Sequence, residues 1–246
     1  MYAWKCWRDS RLRFVAYLTL VVALPINPTL SPAFRLTDKG WTLLRDSSPV
    51  FTNALVESAL HAFAGFGLVL FALAGIAMGA SGVGDEYKPG SLEYLLTRPR
   101  QRRHFVWVGW LVGVIEMLAM TSVSAAVIFS LVFYLSRGTA LWRLVALVPL
   151  MLVMALVFFG LAYLGTVITR EGKNGLAFAV LATLAYLIVS FLLQREWGIE
   201  LPSFIGLLRP VVDGGKPFAF GLLAFWTAFA LACPLAAQWI FERRDI

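Results

Sequence analysis

Residues 144–168 read LVALVPLMLVMALVFFGLAYLGTVI, and this stretch contains no charged side chain. A helix needs about 20 mostly apolar residues to cross the hydrocarbon core of a bilayer. Four other stretches are similarly apolar and long enough: Leu55–Ala80, Phe105–Tyr134, Leu176–Leu193 and Phe218–Ile240. The pattern predicts an all-α protein that crosses a membrane several times.

The composition of the whole chain supports this interpretation. Of its 246 residues, 60% are hydrophobic and 14% are charged, whereas soluble domains carry about 25% charged residues. A soluble surface made from this composition would contain large apolar patches, which associate. The net charge of +7 is spread between the apolar stretches, so it predicts basic loops beside a membrane rather than a nucleic-acid-binding surface. The two cysteines, Cys6 and Cys233, form neither a disulfide framework nor a metal-ligand pattern.

The first span is the weakest in the sequence. Phe14–Ile26 is apolar but short, and Pro25 and Asn27 interrupt it. Basic residues before an apolar stretch and small residues after it are also the pattern of a signal peptide. We favour a retained helix that extends over about Arg11–Leu30, which gives six transmembrane helices in all.

The distribution of lysine and arginine predicts the orientation of these helices. With six spans, thirteen of the 21 basic residues lie on the same side as the N-terminus, and eight lie on the other side, where the loops are longer in total. Cytoplasmic loops are enriched in lysine and arginine. Both termini are therefore expected in the cytoplasm, with the chain as a multi-pass protein of the inner or plasma membrane.

One loop is more informative than the others: residues 82–104 read GVGDEYKPGSLEYLLTRPRQRRH. Its glycines and prolines prevent the preceding helix from continuing. Ser91 is a suitable N-cap for a short helix that ends before Pro99, and three leucines share one face of that helix: Leu92, Leu95 and Leu96. Such a helix needs an apolar partner, which is either the lipid headgroup region or a groove on a second protein.

This loop resembles the loop between the second and third spans of type-2 ATP-binding cassette (ABC) transporter permeases. The similar residues are Asp85, Glu86, Tyr87, Gly90, Ser91, Leu92, Glu93, Leu95, Leu96, Pro99 and Arg102. The N-terminal segment, in which Trp4 and Trp7 lie among basic residues, is similar to the amphipathic start of the same family. The resemblance implies one permease domain over residues 1–246, with a cytoplasmic amphipathic segment over 1–12 and a coupling loop over 82–104.

The resemblance also implies a mechanism and partners. In such permeases the loop forms a short coupling helix that docks in a cleft on an ATPase subunit, and that subunit binds ATP and magnesium. Closure of two ATPase subunits moves two docked helices, and the spans then exchange inward and outward access. The implied partners are an ATP-binding cassette ATPase, a second permease copy or homologue, and membrane lipid, with export as the implied direction.

The sequence carries little that points to an enzyme. It has no phosphate-binding loop of the form G-x-x-x-x-G-K-[ST], so ATP hydrolysis is expected on a separate chain. Residues 79–82 resemble the Gly-x-Ser-Gly signature of rhomboid intramembrane proteases, but a serine nucleophile needs a base within hydrogen-bond reach. His61 is about 30 Å from Ser81 along one helix, and His104 is expected at or beyond the end of the third span. The protease interpretation is therefore not favoured.

Glu116 is the sharpest candidate for a polar group on a translocation path, because ionisable residues within spans are often functional. It could face a cavity, pair with His61, or form hydrogen bonds only within the bundle. Few other ionisable groups lie within the spans, which favours an amphipathic, lipid-like or apolar substrate. The competing interpretation is a membrane protein that is not linked to ATP, either a secondary transporter or a scaffold.

Two G-x-x-x-G sequences, Gly75–Gly79 and Gly109–Gly113, lie within the second and third spans. Glycines at this spacing remove side chains from one strip of a helix, so that another helix can approach closely. They predict tight packing, either within the bundle or between two copies.

Overall fold

The computed structural model describes residues 2–37, 40–43, 48–81, 102–136, 142–204, 206–207, 210 and 219–243. Its longer helices are Tyr2–Leu30, Pro49–Ala62, Leu68–Ser81, Arg102–Leu135, Trp142–Thr169, Gly172–Trp197 and Phe220–Arg243. A 3-10 turn at Ser31–Ala33 follows the first helix, and a π-helical turn at Phe63–Gly67 joins Pro49–Ala62 to Leu68–Ser81.

Within the described residues, six helices are long and apolar enough to cross a membrane. They are Ala3–Ala33, Val50–Ala80, Arg103–Leu135, Leu144–Thr169, Gly172–Trp197 and Phe220–Arg243, and we call them the first to sixth spans. The prediction of a six-span helical bundle is confirmed. A short antiparallel hairpin between the first two spans is an addition that was not predicted: β1 (Phe34–Thr37) pairs with β2 (Gly40–Leu43) in the register Phe34↔Leu43 to Thr37↔Gly40.

The first helix is continuous and starts earlier than the predicted span Arg11–Leu30. It retains two internal prolines, Pro25 and Pro28. Because proline has no backbone N–H, the carbonyl one turn before it loses its helical partner. The carbonyl of Val21, one turn before Pro25, accepts a hydrogen bond from Ser124 Oγ of the third span at 3.2 Å. This contact gives the carbonyl a hydrogen-bond donor, which lipid could not supply.

The fourth span forms the centre of the bundle. A Cβ atom added to Gly79 of the second span would lie 2.3 Å from the carbonyl oxygen of Phe159, and one added to Gly75 would lie 2.4 Å from that of Ala155. From the third span, a Cβ atom added to Gly113 would lie 2.2 Å from the ring of Phe159. Both G-x-x-x-G sequences therefore serve close packing within this chain.

The fifth span lies at the edge of the bundle. Gly175 and Ala179 are its buried residues, and a Cβ atom added to Gly175 would lie 2.0 Å from Thr166 Oγ1 of the fourth span. Farther along the helix, Leu181 and Ile188 are more than half exposed. A surface of this kind is stable in lipid, which accepts apolar side chains.

Candidate functional site

The predicted coupling residues between Asp85 and Pro99 lie outside the described residues, so their roles remain predictions. Arg102, the last of the set, is the first residue of the helix that forms the third span. The helix of the second span ends at Ser81. The structure therefore defines the two points at which the segment leaves and re-enters the bundle.

The exit point packs against the turn between the fourth and fifth spans. Thr166 Oγ1 of the fourth span lies 3.4 Å from the carbonyl oxygen of Ala80. A Cβ atom added to Gly172, the first residue of the fifth span, would lie 2.6 Å from the same oxygen. Backbone from the second span and backbone from the fifth span are thus in direct contact at the base of the predicted coupling loop.

The turn itself is short, polar and exposed. Arg170 adopts the left-handed backbone conformation with φ 64°, which lets the chain reverse within two residues. Asn174 Nδ2 donates to Glu171 Oε2 at 2.9 Å. The side chains of Arg170, Glu171 and Lys173 are all exposed, so this end of the bundle presents a polar surface beside the exit point.

Glu116 is buried between the first and third spans. Its side chain is 3% exposed, and its Oε1 accepts a hydrogen bond from the hydroxyl of Ser10, which is buried as well. The positive charge of Arg13, one turn farther along the first helix, also acts on this carboxyl group. A buried acid is tolerated when it is paired and hydrogen-bonded in this way. The site is therefore a polar contact that fixes the first helix against the third span.

His61 does not provide the partner of Glu116. Its side chain is exposed, and its Nδ1 lies 2.7 Å from the backbone carbonyl oxygen of Glu57, one turn earlier in the same helix. The alternative in which His61 and Glu116 form a pair is wrong, because the partners of Glu116 lie on the first helix.

Several contacts mark the end of the bundle at which the first and third spans begin, which we call the N-terminal end. Trp107 Nε1 donates to Gln238 Oε1 of the sixth span at 2.7 Å, and the guanidinium group of Arg243 lies 4.0 Å from the ring centroid of Trp239. Tryptophan and arginine near the ends of spans are typical of the membrane–water interface. We therefore expect one boundary of the hydrocarbon core near the level of Trp107.

The polar contact at Glu116 lies far from that boundary. Tyr163, near the end of the fourth span, donates its hydroxyl to the carbonyl of Val106 at 2.7 Å, so Val106 lies at the N-terminal end as well. Glu116 is about 15 Å farther along the same helix. Because the hydrocarbon core is about 30 Å thick, we expect Glu116 and Ser10 to lie near the middle of the membrane.

At the opposite end, the chain after the fifth span folds back into the bundle. Gly198 ends the helix in the left-handed conformation, with φ 65°. The hydroxyl of Tyr186 donates to the carbonyl of Pro202, and Phe204 stacks on Trp226 of the sixth span with ring centroids 4.2 Å apart. Tyr186 lies about 16 Å from the end of the fifth span. The folded-back backbone therefore reaches membrane depth, where surrounding protein must shield it.

A cavity lies among the second, third and fourth spans beside the π-helical turn. Its empty volume is about 310 Å³, which includes space open to the outside. Its polar groups are the hydroxyls of Thr121 and Ser124, which donate to the carbonyls of Met117 and Val21. The remaining lining is apolar, so the cavity offers no charged group with which to orient a ligand.

Ser10 and Arg13 are not among the residues predicted for the site, because the sequence predicts residues 1–12 as a cytoplasmic segment separate from the spans. A signal was nonetheless present, because Ser10, Phe14, Tyr17 and Val21 recur at the spacing of one helical face. Extending the helix along that face would have brought Ser10 into the first span.

Comparison with known proteins agrees with the fold. The search of curated proteins returned no match to this chain. The family model described as ABC-2 family transporter protein matches residues 12–203, a range that runs from the first helix to the folded-back segment and includes the loop between the second and third spans. With six membrane-spanning helices and this match over most of its length, the chain belongs to the ABC-2 family of transporter permeases, whose members are membrane components of ABC transporters and are not themselves catalytic.

Proposed function

We propose that this permease is one half of an exporter driven by a separate ATP-binding cassette ATPase, which binds ATP and Mg²⁺ and docks on residues 82–101. The observation that carries the proposal is the position of this segment. In a chain that belongs to the ABC-2 family, it joins the second span at Ser81 to the third at Arg102. It also carries the sequence that resembles the coupling helix of such permeases.

Each part of the segment has a proposed role. Leu92, Leu95 and Leu96 are the apolar anchors in a groove of the ATPase. Glu86 and Glu93 meet basic groups on that subunit. Five other coupling residues shape the short helix and its ends: Asp85, Tyr87, Gly90, Ser91 and Pro99. Arg102, the first residue of the helix that follows the segment, completes the proposed coupling set.

Contacts at the base of the segment support a route for its movement. Ala80 is in backbone contact with Gly172 and lies beside Thr166. A displacement of the docked helix therefore acts on the fourth and fifth spans as well as on the second. Interfaces packed this closely shift as units rather than deform gradually, which suits a mechanism of alternating access.

The orientation follows from the position of the ATPase. ATP is available in the cytoplasm, so the N-terminal end of the bundle faces the cytoplasm of a cell whose inner or plasma membrane holds the protein. Arg170, Lys173 and Arg243 lie at this same end, as expected for cytoplasmic loops.

A second permease copy or homologue completes the transporter. Among the described residues the fourth span packs closely against the second and third spans, which favours a path between two copies over one through the middle of a single copy. The exposed side of the fifth span, which includes Leu181 and Ile188, provides apolar surface on which a second copy can pack. A path for an amphipathic substrate then forms between the two copies.

The proposal is tested by co-purification. The tagged chain is expressed in its native host, solubilised in mild detergent and isolated, and the proteins that accompany it are identified. We expect an ATP-binding cassette ATPase to co-purify with the wild-type chain. We expect Glu86→Arg combined with Leu95→Arg to reduce its recovery at least tenfold, because both an apolar anchor and a favourable charge are lost.

A matched control applies the same kinds of substitution at the opposite end. Ile199→Arg combined with Glu200→Arg changes an aliphatic residue and a glutamate, both exposed, and should leave recovery of the ATPase unchanged. The proposal fails if the wild-type chain retains no ATPase, or if the change at Glu86 and Leu95 leaves both ATPase binding and transport intact.

A further inference from the structure

The first helix has two unlike faces. Its packed face carries Ser10, Phe14 and Val21, all of them buried, and contacts the third span through the hydrogen bond from Ser10 to Glu116. The opposite face is exposed and mixes charged with apolar side chains: Trp4, Arg8, Arg11, Leu12 and Val15.

The contact with Glu116 fixes the depth of this exposed face. Ser10 touches Glu116, which lies about 15 Å inside the N-terminal boundary, and Arg11 is the next residue in the chain. The backbone of Arg11 is therefore near the middle of the hydrocarbon core. Its side chain can extend toward the boundary, but it is too short to cover the whole distance.

An arginine at this depth needs surroundings other than lipid. Charged groups within spans almost always face the interior of a bundle or a water-filled cavity. Arg11 is exposed, so the interior of this chain does not surround it, and among the described residues it makes no hydrogen bond or ion pair. Water or an anionic ligand has to meet its charge.

We propose that the exposed face of the first helix lines a water-filled path, and that Arg8 and Arg11 bind there the anionic headgroup of an amphiphile. This inference rests on the proposed function, because a permease supplies such a path between its two copies. It adds a substrate class and two binding residues to that function.

The charges on this face favour an anion. Asp9 is the single acidic residue of the first helix, and it is paired with Arg8, whose Nε lies 3.6 Å from Asp9 Oδ1. Arg11 adds a further positive charge one turn along the same face. Guanidinium groups bind phosphate and carboxylate oxygens in pairs, so a phosphate or carboxylate headgroup fits this cluster.

The apolar residues of the same face suit the chain of an amphiphile. Leu12 is 79% exposed, and Val15 follows it on the same face at 56%. They lie farther from the N-terminal end than Arg8 does. An amphiphile with its headgroup toward that end would place the headgroup beside the arginines and its hydrocarbon chain beside the apolar residues.

Thiol labelling of the full-length chain in phosphatidylcholine vesicles tests whether the face is hydrated. In a background of Cys6→Ser and Cys233→Ala, Leu12→Cys reports the proposed path. Ile115→Cys is the matched control, because Ile115 is 63% exposed and precedes Glu116 at the same depth. A charged thiosulfonate reagent present on both sides of the membrane should modify Leu12→Cys at least tenfold faster. Equally slow labelling of the two would overturn the water-filled path.

Protection from the same reagent tests the ligand. Dodecyl phosphate should slow the labelling of Leu12→Cys at least fivefold, whereas dodecylphosphocholine, with the same chain and a zwitterionic headgroup, should not. Arg8→Gln combined with Arg11→Gln should abolish the protection, and Arg195→Gln at the opposite end should preserve it. Equal protection by the two amphiphiles, or protection that survives the loss of both arginines, would overturn the anion site.

These measurements are independent of the ATPase. Slow labelling of Leu12→Cys in a chain that retains its ATPase refutes the path along the first helix and leaves the exporter in place. Fast labelling of Leu12→Cys that dodecyl phosphate slows, in a chain that never binds an ATPase, supports the anion site and refutes the exporter.

Discussion

The fourth and fifth spans follow one another in the chain and are similarly apolar, yet they occupy opposite positions in the bundle. Of their most apolar windows, 61% of the fourth is buried and 6% of the fifth. The fourth span receives the glycines of the second and third spans, which bring backbone against backbone, whereas the fifth is held closely near one end. Apolar composition therefore decides that a helix enters the membrane, and shape decides where it packs.

The largest effect is expected where the fourth span is packed most tightly. Gly79→Leu places a side chain where even a Cβ atom would lie 2.3 Å from a backbone oxygen, so the second and fourth spans must separate. We expect a loss of about 3 kcal/mol or more in unfolding free energy, seen as aggregation in size-exclusion chromatography. Gly221→Leu, where nothing lies within 4 Å of an added Cβ atom, should behave as wild type. A normal melting temperature for Gly79→Leu would contradict the central position of the fourth span.

A smaller effect is expected at the polar contact of the first helix. Glu116→Leu removes the acceptor that holds the Ser10 hydroxyl against the third span, at a cost of about 2 kcal/mol. Glu116→Gln keeps an acceptor oxygen and should lose less than half as much. Unfolding in denaturant, followed by tryptophan fluorescence, measures both. If Gln and Leu destabilise the protein equally, the hydrogen bond to Ser10 is not the reason for the loss.

The next effect concerns a single hydroxyl group of the fourth span. Tyr163→Phe removes the hydrogen bond to the carbonyl of Val106 while preserving the ring, so the unfolding free energy should fall by about 1 kcal/mol. Tyr17→Phe is the control, because Tyr17 makes no hydrogen bond among the described residues. Thermal melts of the two variants give the comparison, and a matching shift in both would show that the Tyr163 bond adds nothing specific.

The smallest effect is expected on the fifth span. Ile188→Ala changes an exposed side chain, so the stability of the single chain should stay within about 0.5 kcal/mol of wild type. Cross-linking in membranes measures whether a second copy packs on this surface. If it does, Ile188→Ala should lower the dimeric fraction. A loss of stability comparable with that of Gly79→Leu would show that the fifth span is as enclosed as the fourth.

The sequence was sufficient to predict the number and approximate limits of the spans, because hydrophobic length alone specifies them. It also predicted close packing from Gly75–Gly79 and Gly109–Gly113. It did not predict that both sequences pack against the fourth span, because glycine spacing indicates that another helix approaches closely but does not identify that helix.

The site was less predictable than the fold. Glu116 stood out because an acid within a span is rare, but its partner Ser10 is an ordinary residue in a basic segment. The folded-back chain at Pro202 and Phe204 lies between the predicted spans Leu176–Leu193 and Phe218–Ile240, and nothing in this short irregular sequence indicates that it packs against aromatic rings of other spans. Both misses concern contacts between residues distant in sequence, which local patterns do not encode.

Pro25 has a consequence for how the protein can move. By freeing the carbonyl of Val21 for Ser124, it adds a second bond between the first and third spans, about 16 Å along the helix from the bond between Ser10 and Glu116. Two attachments at different heights prevent either helix from rotating about its own axis without breaking both. The first and third spans must therefore tilt or translate together as one rigid body. Any opening on this side of the protein has to occur beside this pair of helices and not between them.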